Sequence, residues 1–265
     1  MSLHVTRTGR GPRLVLLHGW ALNSHVWDGV LSALGDRFAL ECVDLPGHGA
    51  SDWMPGIASL DSLAAAIAPT LGDSCHLLGW SLGAMVALRL AATHATRIEK
   101  LVLVAGTPKF IADEGWPLAM QPAALKHFAQ RLQQDFRATV QDFLALQVRG
   151  DERALEALRT LRRRVVAADE PDQRALRVGL DILRDADLRA TLPTVRVPAL
   201  VIAGERDALV PAAASEYLAT HLHAARFHPI SRAAHAPFLS HAEEFCTVVG
   251  AFLAGTEQPM VERDS

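Results

Sequence analysis

The stretch "CHLLGWSLGAMVALRLAATH", residues 75–94, restricts what this chain can fold into more than any other. It begins with a continuous apolar run, as expected of a strand buried on both faces of a parallel sheet. From Leu82 onward it is rich in Ala, Leu and Met and reads as a helix. Gly79-Trp80-Ser81-Leu82-Gly83 spans the junction. A strand that turns at once into a helix needs small residues on both sides of the turning residue. The G-x-S-x-G pattern then lifts the serine hydroxyl above the sheet, at a helix N-terminus whose N–H groups favour developing negative charge. The bland alternative is an ordinary turn with a polar cap. The strand before and the helix after favour Ser81 as a nucleophile.

The same rhythm recurs around this stretch. Apolar runs at 14–18, 38–45, 75–79 and 100–106 alternate with helix-like or turn-rich segments, which is the pattern of an α/β fold. It stops near residue 108. The spacing of Phe128, Leu132, Phe136, Val140 and Leu144 predicts one amphipathic helix over 126–147, and further helices are expected over 151–166 and 173–189. Strand signals return at 198–204 and 225–230, followed by a helix at 242–253 and a polar tail, 256–265, expected to fray. The expectation is a mostly parallel sheet flanked by helices, with a helical lid inserted. Core residues 1–108 and 191–265 enclose lid residues 109–190. Such an insertion sits over the carboxyl ends of the strands, where open α/β sheets bind ligands.

Composition narrows the classes of function. Half of the 265 residues are hydrophobic and the net charge is −3, so the chain is globular and has no general attraction to nucleic acid. No apolar run is long enough to cross a membrane, and the N-terminal residues lack a signal-peptide pattern. Cys42, Cys75 and Cys246 are odd in number and widely spaced, which suits free thiols in a reducing cytoplasm. No spacing suggests a metal site. The oligomeric state is not fixed by the sequence, and a monomer is the simplest expectation.

A nucleophilic serine needs a base and an acid to orient it. His235, in "SRAAHAPFLSH", follows the last expected strand, and Asp207, in "VIAGERDALVP", follows the strand before it. The order Ser81, Asp207, His235 is that of nucleophile, acid and base in α/β-hydrolases. Glu205 is the rival acid, and His228 and His241 are rival bases, His228 falling inside a strand. One oxyanion N–H should come from Leu82 and the other from Trp20, in a loop shaped by His18 and Gly19. "DLPGHGASD" (44–52) reads as a shaping loop in which Asp44 and Asp52 make local hydrogen bonds.

"LVLLHGW", "VDLPGHGASD", "LLGWSLG", "GERDALVP" and "AAHAPFLSH" together resemble an α/β-hydrolase over nearly the whole chain. "EGWPLAMQP" (114–122), "DFRATVQDFLALQ" (135–147) and "AAHAPFLSHAEEFC" (233–246) are similar to the pimeloyl-acyl-carrier-protein methyl ester carboxylesterases of biotin synthesis. The resemblance implies Ser81, Asp207 and His235 as the triad. It implies substrate contacts by Trp20, Ser81, Leu82, Phe143, Leu144, Ala145, Leu146, Gln147 and His235, a carrier-borne ester as substrate and no cofactor.

The carrier in that reaction is acidic. Arg149, Arg153, Arg159, Arg162, Arg163 and Arg164 outnumber Asp151, Glu152 and Glu156 by three, in a chain that is acidic overall. A docking role is therefore expected for Arg149, Arg153, Arg159, Arg162 and Arg163; the alternative is a solvated helix face. Relatives carry arginines around "DFxxTV", where this chain has Arg137, Ala138 and Asp142, so the docking surface differs in detail. The rival activities are a short-chain esterase, a thioesterase or a carbon–carbon hydrolase. A dehalogenase or epoxide hydrolase is disfavoured, because those relatives use Asp where this chain has Ser81. The rival from another class is a binding protein without turnover.

Overall fold

The computed structural model describes residues 2–166 and 170–256, excepting the side chains of Phe136, Ala154 and residues 164–166. Expectations for the tail beyond 256 and for the Arg164 side chain lie outside the described residues. Seven strands form one sheet: β1 (Val5–Gly9), β2 (Arg13–Leu17), β3 (Ala39–Val43), β4 (Cys75–Trp80), β5 (Ile98–Val104), β6 (Ala199–Gly204) and β7 (Ala225–Ile230). Their order is β1-β3-β2-β4-β5-β6-β7. Only the β1–β3 pair is antiparallel.

The continuous apolar runs are explained by burial on both faces. Successive residues of each central strand enter opposite cores. Val15, Leu17, Leu77, Leu101, Leu103 and Val201 belong to one buried cluster. Leu14, Leu16, Leu78, Trp80, Val102, Val104 and Ile202 belong to the other.

Helices cover both faces: α1 (Leu31–Gly35), α2 (Leu60–Ile67), α3 (Leu82–Thr93), α4 (Pro122–Gln134), α5 (Phe136–Gln147), α6 (Ala154–Val166), α7 (Gln173–Asp185), α8 (Ala212–His221), α9 (Pro237–Ser240) and α10 (Ala242–Ala254). Helices α4 to α7 all fall between β5 and β6. No helix among the described residues is long and apolar enough to cross a membrane.

Two differences from the sequence expectation have local causes. The helix expected over 126–147 is two helices that meet at Asp135. Asp135 is extended (φ −144°, ψ 91°), ends α4 and accepts the Ala138 N–H as the cap of α5. The apolar stripe divides accordingly. Phe128, Leu132 and Val140 pack with the first cluster, while Leu144 packs with the second. Strand β1 was not expected, because four of its five residues are exposed and leave no apolar run to read.

Candidate active site

Ser81 stands between β4 and α3 with φ 56° and ψ −116°, a left-handed conformation that side-chain-bearing residues rarely adopt. The two glycines of the motif are required by contact. A Cβ on Gly79 would lie 2.2 Å from the Gly83 carbonyl oxygen, and one on Gly83 would lie 2.5 Å from that of Leu17. The Ser81 N–H donates to Val104 O at 3.0 Å, tying the turn to β5. Ser81 is the N-cap of α3, where the leading N–H groups lack intrahelical partners, and its side chain makes no capping bond to them.

Asp207 and His235 come together. His235 Nδ1 lies 2.6 Å from Asp207 Oδ2, and both side chains are buried. A carboxylate can only accept, so Nδ1 carries the proton and Nε2 is left with its lone pair. His235 Nε2 is buried and has no hydrogen-bond partner among the described residues. The other carboxylate oxygen, Asp207 Oδ1, accepts the N–H groups of Leu209 and Val210 at 2.8 and 2.9 Å. The pair lies beside the elbow: the Trp80 indole donates to His235 O at 2.8 Å.

The rivals are occupied elsewhere. Glu205 is exposed, His228 pairs with Glu244, and His241 pairs with Glu152.

The loop after β2 packs on the elbow, since a Cβ on Gly19 would lie 3.4 Å from Ser81 Cβ. Buried His18 holds that loop. Leu45 N–H donates to His18 Nε2 at 2.9 Å, so His18 Nδ1 carries the proton and donates to Gly19 O at 2.7 Å. Burial lowers the His18 pKa, with Asp44 opposing the shift, and keeps the ring neutral. Asp44 accepts Ser24 and Ala50 N–H groups, while Asp52 accepts that of Ser2.

Trp20 follows Gly19 and is almost fully buried. Its ring meets Phe143 edge-on at 4.9 Å and Phe128 at 5.4 Å. Leu82 lines a small, partly open cavity of about 10 Å³ with His48, Gly179 and Ile182. Within 143–147 the residues diverge. Phe143 faces Trp20, and Ala145 and Leu146 are half-buried. Gln147 is buried, and its carbonyl accepts the His235 N–H at 3.0 Å. Leu144 is fully buried in the cluster that holds Trp27 and Phe238, across the sheet from Phe143's cluster; it fills core there.

Sequence reasoning passed over Leu176, whose carbonyl accepts the Trp20 indole N–H at 2.9 Å, and Asp151, whose carboxylate accepts the Ala234 N–H beside His235. Arg153, expected among the docking arginines, is exposed and its Nη1 donates to Ser240 O at 2.8 Å. Arg149, Arg159, Arg162 and Arg163 are exposed. Among the described residues no cluster could hold a metal ion.

Sheet, elbow and insertion are those of the alpha/beta hydrolases. A model of the alpha/beta hydrolase family matches residues 14–248, and the chain belongs to that family. The esterase of Exiguobacterium antarcticum superposes on it with a TM-score of 0.86 over 95% of each chain at 22% identity, which shows the shared fold. Within the family, the chain is 43% identical over 250 residues to the pimeloyl-[acyl-carrier protein] methyl ester esterase of Nitrosomonas europaea, spanning 94% of this chain and 99% of that one. The esterase of the same name from Aeromonas hydrophila is 41% identical over 96% of this chain and all of its own length. Such similarity makes the chain a member of this group of carboxylic ester hydrolases.

Proposed function

We propose that the chain cleaves the methyl ester of a pimeloyl group carried on acyl-carrier protein, releasing methanol, as its relatives' names describe. The observation that carries the chemistry is the Asp207–His235 hydrogen bond beside the Ser81 elbow. In this reading His235 Nε2 takes the Ser81 proton as Oγ attacks the ester carbonyl. The Leu82 and Trp20 N–H groups bind the oxyanion. His235 returns the proton to the leaving methoxide, and the acyl-serine is hydrolysed by water activated at the same nitrogen. No metal or organic cofactor enters these steps.

An apolar acyl chain fits walls made by Trp20, Phe128, Phe143 and Leu146, each buried methylene contributing ~0.8 kcal/mol. The cavity of about 10 Å³ beside Leu82 is too small for it, so its walls, α7 among them, must move for the chain to enter there. A groove of about 320 Å³ between α4 and α7, lined by Leu132 and Leu176, is the proposed entrance.

The proposed docking surface for an acidic carrier is one face of α6. Leu155, Arg159, Arg162 and Arg163 recur there at spacings of three and four and are exposed, Leu155 to 73%. Arg149 stands near the start of that helix. Arg153 is exposed as well, with one guanidinium nitrogen bonded to Ser240 O. The three free thiols agree with a cytoplasmic setting.

The test is methanol release from pimeloyl-carrier-protein methyl ester, compared with p-nitrophenyl esters of graded length. The carrier substrate should be preferred, and charge reversal at Arg159 and Arg162 should lower its turnover while sparing a small ester. A general short-chain esterase would show no preference for the carrier-borne ester.

A further inference from the structure

We propose that Asp151, which precedes α6, is a positioning residue for His235. The proposal rests on the reading of His235 as the base.

His235 lies in the irregular segment between β7 and α9, where no strand or helix ladder holds its backbone. It is fixed by separate bonds. Its N–H donates to Gln147 O at 3.0 Å, and its carbonyl accepts the Trp80 indole at 2.8 Å. The amide immediately before it, Ala234 N–H, donates to Asp151 Oδ2 at 3.0 Å. The same oxygen accepts the Ser240 hydroxyl at 2.6 Å, just past the far end of the His235 segment. Asp151 Oδ1 accepts Arg153 N–H at 2.7 Å. The carboxylate therefore bridges both sides of His235 and fastens them to the first turn of α6.

The neighbouring residue reinforces the junction. Glu152 N–H donates to Arg232 O at 3.2 Å, and the Glu152 carboxylate pairs with Arg232 and His241. Two of the three supports around His235, the Gln147 carbonyl and the Asp151 carboxylate, thus come from the last residue of α5 and the connection from it to α6. These two helices lie in the insertion, while Asp207 and Ser81 are held by the sheet. The alignment of His235 with Asp207 follows the seating of that connection.

The chemistry requires a carboxylate. Asp151 is buried, and the three groups that reach it are all donors. Among the described residues no guanidinium pairs with it, and Arg153 Nη1 donates to Ser240 O instead. Its charge is met by these donors and by the N-terminus of α6. An amide of the same shape offers one acceptor oxygen and sets an N–H against at least one of them.

The experiment compares wild type with Asp151→Asn and Ser240→Ala. Active sites are titrated with a fluorophosphonate, and kcat and KM for a short p-nitrophenyl ester are then measured from about pH 5 to pH 9. Asp151→Asn should lower kcat per titrated site at least ~10-fold with little change in KM. It should also move the acid limb of kcat/KM, which reports the essential base of the free enzyme. Ser240→Ala removes one donor of three, and a loss of about two- to threefold with a smaller shift of the same sign is expected.

A lower melting temperature with unchanged kcat per site and an unmoved acid limb would make Asp151 a purely structural residue and overturn the proposal. Should Asp151→Asn not fold, an acid limb and kcat unchanged in Ser240→Ala would do the same. Wild type that resists the fluorophosphonate altogether would instead remove the serine-hydrolase reading on which the proposal stands.

Discussion

The indole of Trp20 donates to the carbonyl of Leu176 at 2.9 Å, so the loop that packs on the Ser81 elbow is tied directly to α7. One turn further along that helix, Gly179 makes room for the ring. A Cβ there would lie 2.5 Å from Trp20 Cδ1 and 2.8 Å from Nε1. The obstructing atoms belong to a buried ring held by a hydrogen bond and by Phe128 and Phe143, so they have little freedom to yield. Gly179→Ala should cost ~1–3 kcal/mol of stability through overpacking. It should also lower activity on short esters and alter tryptophan fluorescence. Thermal unfolding checks the first expectation; a melt indistinguishable from wild type would show that α7 shifts freely.

The elbow stores strain that a mutation can release. Ser81 at φ 56° and ψ −116° holds a Cβ in a region natural to glycine. Ser81→Ala keeps that Cβ, and therefore the strain, while removing the hydroxyl. Ser81→Gly relieves strain of ~1–3 kcal/mol and incurs ~0.5–1 kcal/mol of extra backbone entropy. Both variants should lose labelling by a fluorophosphonate, and the glycine variant should melt at the higher temperature. Equal melting temperatures would mean that the turn carries no net strain.

These relationships divide by how far apart their partners lie in sequence. The runs behind β2, β4, β5 and β6 were legible because both faces of these strands are largely buried and apolar residues dominate them. Edge strand β1 was not, since its VTRTG is exposed at four of five positions, on both faces, and has one partner strand. Ser81, Asp207 and His235 each sit in a local pattern of strand end and turn, so they could be singled out before their meeting was seen. Asp151 has no such pattern. Its partners Ala234 and Ser240 lie 83 and 89 residues away, and locally it reads as one more charge on a helix. The break at Asp135 was hidden for a related reason, because a four-residue apolar spacing continues across it although Leu144 serves a different core.

Asp207 uses both oxygens for different tasks. Oδ1 holds the Leu209 and Val210 N–H groups, and Oδ2 faces His235 Nδ1. In Asp207→Asn the single amide oxygen can serve only one side. If it keeps the two backbone donors, the amide N–H faces His235 and forces the proton onto Nε2, so the base is lost. The expected fall in kcat is on the order of 10³–10⁴-fold, with KM little changed. Burst kinetics with a p-nitrophenyl ester checks this; a fall below ~10-fold would argue that Asp207 does not set the tautomer.

Acid should destabilise the fold through two histidines that are buried without charge. The His48 ring is tilted against that of His18 with centroids 5.4 Å apart, its Nδ1 lies 3.1 Å from Pro46 O, and its Nε2 has no partner among the described residues. Burial first, then the neighbouring His18, pushes the His48 pKa down from 6.5 to about 3. His18 is lowered by burial as well. Between these limits the unfolded chain binds a proton that the folded chain refuses. Stability is therefore full above about pH 6.5 and falls as the pH drops towards 3, by about 1.4 kcal/mol per unit at most for each such ring. For His48 this reaches about 2 kcal/mol by pH 5, above the range in which carboxylates begin to titrate. A glutamine can still donate to Pro46 O and has no proton to gain. His48→Gln should lose less melting temperature than wild type between pH 7 and pH 5, with the remaining loss assigned to His18. Parallel melting curves for the two proteins across that interval would show that His48 accepts its proton in the folded state.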